Sequence, residues 1–120
     1  MEKEFVSYEQ AVALKELGFD DKCIATIENN GYVHIKGTRG LPSAAAVVNK
    51  VDAPLKQQVF RWFREKYRLH SYVKYEFRDV KFYYDYTIEG YESDINYDTY
   101  EEAENALINE LISIAKRKIK

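Results

Sequence analysis

The sequence predicts an α+β fold in which antiparallel strand pairs pack with about three main helices, in the order α-β-β-α-β-β-α. Three observations carry this expectation. The segments at Ser7 and Thr99 open with the same helix-capping chemistry, Asn29-Asn30-Gly31 separates two short β-prone runs, and residues 80–88 alternate apolar and polar side chains. Separate strand and helix blocks joined by short connections favour antiparallel sheets over a parallel one. Residues 1–120 are read as a single domain, a size at which a chain buries enough surface to fold without staples.

The first helix is expected over Tyr8 to Leu17. Ser7 and Gln10 have the spacing of a capping box, in which each side chain bonds a backbone N–H of the other. Ala11, Val12, Leu14 and Leu17 supply an apolar stripe, and Gly18 stands where a helix commonly stops, with Phe19 placed to pack back over the last turn. Cys23–Ile27 and Tyr32–Ile35 then read as a hairpin, because Asn and Gly tolerate the positive φ of a tight turn. Residues 36–52 read as a long connection: a loop from Lys36 to Pro42, then a helical turn or two over Ser43 to Val48.

A second helix is expected from Pro54 to Tyr67, capped by Asp52, with Pro54 in the first turn where its missing N–H does no harm. Leu55, Val59, Trp62 and Phe63 form its apolar stripe, and Lys56, Arg61, Arg64, Lys66 and Arg68 its outer surface. Tyr72–Phe77 and Val80–Ile88 read as strands, the second with Val80, Phe82, Tyr84, Tyr86 and Ile88 on its buried face. Glu89-Gly90 ends it, and a short strand over Ile95–Tyr97 is left open. The last helix starts at Thr99 with Glu102 three residues on. Its acidic first turns (Glu101, Glu102, Glu104) and basic end (Lys116, Arg117, Lys118, Lys120) complement the helix dipole. Ala103, Ala106, Leu107, Leu111, Ile114 and Ala115 make its apolar face.

Charge and aromatic content bound the function. Residues 22–81 hold twelve Lys and Arg against five Asp and Glu, whereas residues 82–110 hold nine acids and no base. Such a split arises from a basic face for an anionic partner or from solvated faces that pair on folding. The chain is also rich in Tyr, most of it between Tyr67 and Tyr100, a residue that suits half-exposed strands and binding surfaces alike. No apolar run is long enough to span a bilayer, no apolar signal core follows the acidic N-terminus, and Cys23 has no internal disulfide partner. A cytoplasmic protein without membrane association is expected.

No catalytic residue is assigned. A nucleophile needs a base within reach, and the one pairing the topology permits is Cys23 with His34 across the first hairpin; Cys more often only packs. One Cys and two dispersed His, His34 and His70, lack metal-ligand spacing, so neither a metal nor another cofactor is expected. Gly37-Thr38-Arg39-Gly40 is a short G-x-x-G in which Lys36 and Arg39 are candidate phosphate ligands. It follows a strand rather than joining two helices, unlike the nucleic-acid clamp it otherwise suggests. The remaining candidates for ligand or partner binding are Tyr72, Tyr75 and Tyr83 on the Tyr-rich strands, together with Arg61, Arg64 and Lys74. Cations interleaved with aromatics suit single-stranded nucleic acid, so an association through the basic helix at residues 56–68 stays open as an alternative. An exposed Tyr-rich face also leaves a homo-oligomer open.

Three segments carry a family resemblance: Ser7-Tyr8-Glu9-Gln10-Ala11 through Leu14-Lys15-Glu16-Leu17-Gly18-Phe19-Asp20; Phe60-Arg61-Trp62-Phe63-Arg64-Glu65-Lys66-Tyr67; and Tyr97-Asp98-Thr99-Tyr100-Glu101-Glu102-Ala103-Glu104. They resemble a small uncharacterised protein family of Bacteroidetes bacteria and their bacteriophages, over about a quarter of the chain. That family commonly has Gly after the Glu-Lys-Tyr of the middle motif, where this chain has Arg68. The resemblance implies a phage or prophage accessory protein and brings no activity, because its motifs coincide with caps and a core stripe. With the missing catalytic set, it leads to the expectation of a non-enzymatic binding module engaging a host protein or small ligand. The alternatives are a nucleic-acid-associated protein, and a nucleotide- or phosphate-binding protein or small enzyme at residues 36–40.

Overall fold

The computed structural model describes residues 4–35, 50–78, 80–91 and 95–119, and is an α+β fold of three helices and two antiparallel sheets in the order α-β-β-β-α-β-β-α. The chain divides into two compact units, Met1–Gln58 and Val59–Lys120. The expected loop and helical turns of residues 36–48 lie outside the described residues.

In the first unit, α1 (Tyr8–Glu16) begins with the complete capping box: the Gln10 N–H donates to Ser7 Oγ at 3.2 Å, and Gln10 Oε1 accepts the Ser7 N–H at 3.0 Å. Gly18 stops it at φ 94°, with Phe19 N–H reaching back to the Leu14 carbonyl at 2.9 Å and Gly18 N–H to that of Lys15 at 3.0 Å. β1 (Ala25–Glu28) pairs with β2 (Val33–Ile35) across Asn29-Asn30-Gly31, where Gly31 adopts φ 93° and Asn30 Oδ1 accepts the Tyr32 N–H.

β1 also pairs along its other edge with β3 (Lys50–Ala53), which makes it the central strand of three. The sequence reading treated β3 as part of a connection and Asp52 as a helix cap. Asp52 instead lies opposite Thr26 in the sheet, and Glu28 faces Lys50. Pairing with a strand more than twenty residues away overrides the weak local preference of Lys-Val-Asp-Ala. Ala25, Ile27 and Ala53 are buried, and α1 packs against β1 and β3.

α2 is also shorter than expected, Lys56–Lys66. Pro54 precedes it and accepts the Val6 N–H, while Leu55 forms a bridge with Phe5. Gln58, not Asp52, caps the helix: its Oε1 takes the Leu55 N–H at 2.9 Å, and its Nε2 donates to the Lys22 carbonyl at 2.8 Å. Lys56, assigned to the outer surface from sequence, is buried.

In the second unit, Val59, Trp62 and Phe63 are buried, with Trp62, Phe63 and Tyr67 forming an edge-to-face aromatic group. The chain leaves α2 through Arg68, which holds φ 57°, and Leu69 N–H closes back on the Phe63 carbonyl at 3.1 Å. β4 (Ser71–Arg78) and β5 (Lys81–Ile88) follow as an eight-residue hairpin pair with Arg78 opposite Lys81. Val80 therefore belongs to the two-residue turn rather than to a buried strand face. It stands at φ 59° and is 90% exposed. In the segment left open at Ile95–Tyr97, Tyr97 forms a bridge, exchanging two backbone hydrogen bonds with Tyr84 at 2.7 and 2.9 Å.

α3 (Tyr100–Ile119) packs on β4 and β5. Thr99 Oγ1 accepts the Glu102 N–H and donates to the Glu102 carboxylate, so its cap differs from that of α1 in the reciprocal bond. Its buried face is wider than read from sequence: Ile108 and Ile112 join Ala103, Leu107, Leu111, Ile114 and Ala115, while Ala106 is only half-buried.

Arg68 and Val80 both occupy the left-handed region, which an L side chain enters at about 1–2 kcal/mol. Replacing either with Gly removes that strain but loosens the unfolded chain. The expected outcome is a net gain of about 1 kcal/mol for Val80→Gly and for Arg68→Gly, read as a raised urea midpoint at unchanged m-value.

Candidate functional site

The site grows out of the two faces of the β4–β5 hairpin. Register and alternation place Ser71, Val73, Tyr75, Phe77, Phe82, Tyr84, Tyr86 and Ile88 on one face. Tyr72, Lys74, Glu76, Lys81, Tyr83, Asp85 and Thr87 occupy the other. On the aromatic face the base of the hairpin is buried at Tyr86 and Ile88, and Tyr84 meets Tyr100 at the start of α3 edge to face at 6.0 Å. Beyond that point the face is open: Tyr75 is 57%, Phe77 60% and Phe82 51% exposed. Tyr75 and Phe82 stack with ring centres 4.7 Å apart and planes 11° apart, and Phe77 packs on Phe82 at 4.9 Å.

The polar face has a different character. Asp85, buried in mid-strand, accepts the Tyr86 N–H at 2.7 Å and lies opposite Lys74. Lys74 bonds Glu76 two residues along its own strand at 2.7 Å. Tyr83 faces Glu76 across the hairpin with the Lys81 ammonium 5.2 Å above its ring.

At the base of the hairpin, where β4 begins and β5 ends, Arg64, His70, Ser71, Tyr72, Thr87 and Glu89 line a cleft of about 410 Å³. Its shape follows from the turn after α2. The left-handed Arg68 swings the chain round so that His70 arrives beside the end of β5, where Glu89 N–H donates to the His70 carbonyl at 2.8 Å. Arg64, from the last turn of α2, then shares a cleft with the first residues of β4. The Arg64 guanidinium makes no ion pair among the described residues, although the Glu89 carboxylate lines the same space. The cleft therefore offers one cation, one carboxylate, an imidazole, a Thr hydroxyl and an exposed Tyr ring.

Of the residues singled out from sequence, the structure brings Arg64 and Tyr72 together in this cleft. Lys74 and Tyr83 share the face of Tyr72 but lie nearer the tip, Tyr75 is on the opposite face, and Arg61 is exposed on α2 outside the cleft lining. Lys36 and Arg39 lie outside the described residues. His70, Ser71, Thr87 and Glu89 join the site only through the hairpin register, for which no local pattern speaks. The pairing of Cys23 with His34 is not formed: Cys23 precedes β1 with its thiol 3.5 Å from the Asp21 carbonyl, while His34 engages Glu28 and packs on Tyr32. Among the described residues no three His, Cys, Asp or Glu side chains gather as a metal site, and no helix is long and apolar enough to cross a membrane. No family model, curated protein or solved structure matches the chain.

Two groups of this unit titrate late. The hydrogen bond to Glu76 raises the Lys74 pKa; desolvation works against it, and the charges of Glu76 and Asp85 add to the rise. Burial raises the Tyr97 pKa, helped by Tyr86, Asp85 and Glu110. Lys74 is held more tightly protonated in the fold, so its contribution is complete below the free-lysine value and fades as pH rises through the folded one. Folded Tyr97 likewise keeps its proton longer than unfolded Tyr97, which penalises the fold above the free-tyrosine value. Both effects have the same sign. The urea midpoint is expected to hold level to about pH 9 and fall towards about pH 11, and Tyr97→Phe should make the fall shallower.

Proposed function

We propose that the protein is a non-enzymatic binding module that takes a small anionic, ring-bearing molecule in the cleft at the base of the β4–β5 hairpin. The observation that carries this reading is Arg64, a cation without an ion-pair partner among the described residues, beside the exposed ring of Tyr72. Arg forks onto carboxylates and phosphates, and a Tyr face accepts a flat ring. Glu89 and Thr87 then require hydroxyl or amino groups on the same ligand, which excludes a bare inorganic anion as the best fit. A volume of about 410 Å³ suits a metabolite-sized guest.

The setting of a phage or prophage accessory protein is supported by the family resemblance alone, and on that reading the guest is a host metabolite. Association with nucleic acid is less well supported. Of the cations that would track phosphates, Lys74 is engaged by Glu76 and faces Asp85, and Lys56 is buried.

A thermal-shift screen of nucleoside monophosphates and aromatic carboxylates tests the reading. At least one should raise the melting temperature, and Arg64→Ala should weaken its binding by about tenfold or more while leaving the unliganded protein folded. If no compound binds, or if binding is indifferent to Arg64, the cleft is not a ligand site.

A further inference from the structure

Among the described residues no strand pairs with the outer edge of β4, and its composition names what fits it. Glu89 N–H bonds the His70 carbonyl, which fixes the alternation along the hairpin: residues 72, 74, 76 and 78 bond across to β5. The N–H and C=O groups of Ser71, Val73, Tyr75 and Phe77 therefore point away from it. The far edge of the hairpin confirms the phase. Tyr84, opposite Tyr75, directs both its backbone groups outward and spends them on Tyr97. No such partner meets Val73, Tyr75 or Phe77 among the described residues. Among the described residues, three donors and three acceptors thus form an unpaired row along an eight-residue strand without Pro or bulge, beside the exposed rings of Tyr75, Phe77 and Phe82. An edge of that kind recruits another strand.

We propose that the occupant is β4 of a second copy, paired antiparallel about a two-fold axis at Tyr75, so that two hairpins join into one four-stranded sheet. The charges choose this partner and this register. With Tyr75 opposite Tyr75 of the second copy, Lys74 faces Glu76 of the second copy and Glu76 faces its Lys74, twice by symmetry. Val73 then meets Phe77, and Tyr72 stands opposite Arg78. These charged pairs fall at the closely spaced, non-hydrogen-bonded positions, where side chains approach most nearly. Sliding the strands by two residues sets Lys74 against Lys74 in one direction and Glu76 against Glu76 in the other. The same contact joins the aromatic faces of the two hairpins side by side, and a four-stranded sheet is of the commonest size where an isolated two-stranded hairpin is only marginally stable.

Analytical ultracentrifugation of the full chain tests this. The wild type should sediment with twice the 14.2 kDa chain mass at micromolar concentrations. Lys74→Glu alone and Glu76→Lys alone should each sediment as one chain. An equimolar mixture of the two should recover the double mass, because every facing pair is then opposite in sign. The double exchange Lys74→Glu/Glu76→Lys should also dimerise by itself. A wild type that stays monomeric to about 1 mM assigns the edge to a strand of some other protein and overturns the proposal, as does a dimer indifferent to both single changes. Should the variants that carry Lys74→Glu fail to fold, as seen by circular dichroism, because a carboxylate then faces buried Asp85, the wild-type mass and Glu76→Lys alone still decide.

Discussion

A two-stranded hairpin is not stable alone in water, and the second unit is organised around that constraint. β4 and β5 present a face of Val73, Tyr75, Phe77, Phe82, Tyr84, Tyr86 and Ile88, and α3 is the helix packed against it. Its cover reaches only part of the way. Ile88 and Tyr86 are buried, Tyr84 meets the first residue of the helix, and from there to the tip the rings are open. The helix start fixed by Thr99 thus sets where burial ends and the exposed rings begin. The base of the hairpin becomes a shaped cleft, and the tip an unfinished sheet.

The opposite face is held by charge rather than by apolar contact. A buried carboxylate at Asp85 would be costly without compensation; one oxygen accepts the Tyr86 N–H at 2.7 Å, and the charge of Lys74, opposite it across the hairpin, acts on it electrostatically. Lys74 is raised in pKa by Glu76 and by this same carboxylate, so it acts as an internal counter-charge before it can act as a ligand. That assignment separates two cations which look alike in sequence. Lys74 is engaged within the sheet, and Arg64 lines the cleft without an ion pair among the described residues.

Elements specified by neighbours in sequence were legible. The capping chemistry at Ser7 and Thr99, the Gly18 stop and the Asn-Asn-Gly turn all act within a few residues and are where they were expected. The buried face read over residues 80–88, by contrast, holds only at Tyr86 and Ile88, with Val80 and Phe82 exposed. What escaped depends on distant partners. β3 exists because β1 has a second edge to satisfy, and nothing in Lys-Val-Asp-Ala announces that. Gln58 displaces Asp52 as the cap for the same reason, since Asp52 is already used in the sheet. The site divides likewise. Arg64 and Tyr72 stood out as an exposed cation and an exposed ring, whereas His70, Thr87 and Glu89 acquire a role only when register brings the two strand ends together.

The two non-glycine residues in the left-handed region stand just before β4 and just after it. Arg68 holds a left-handed backbone with a side chain that disfavours it. The turn is held by what it joins: Leu69 N–H closes on Phe63, and His70 is tied to Glu89 two residues further on. Strain at Arg68 is therefore imposed by the closure that shapes the cleft, and a relaxed backbone there would move His70 and Tyr72 away from Arg64. Val80 is different, because at 90% exposure it gains almost nothing from packing that would offset its conformation. A β-branched residue in that state lowers the stability of the chain. Strain of the first kind is held by the hydrogen bonds around it, and strain of the second is carried with no packing to offset it.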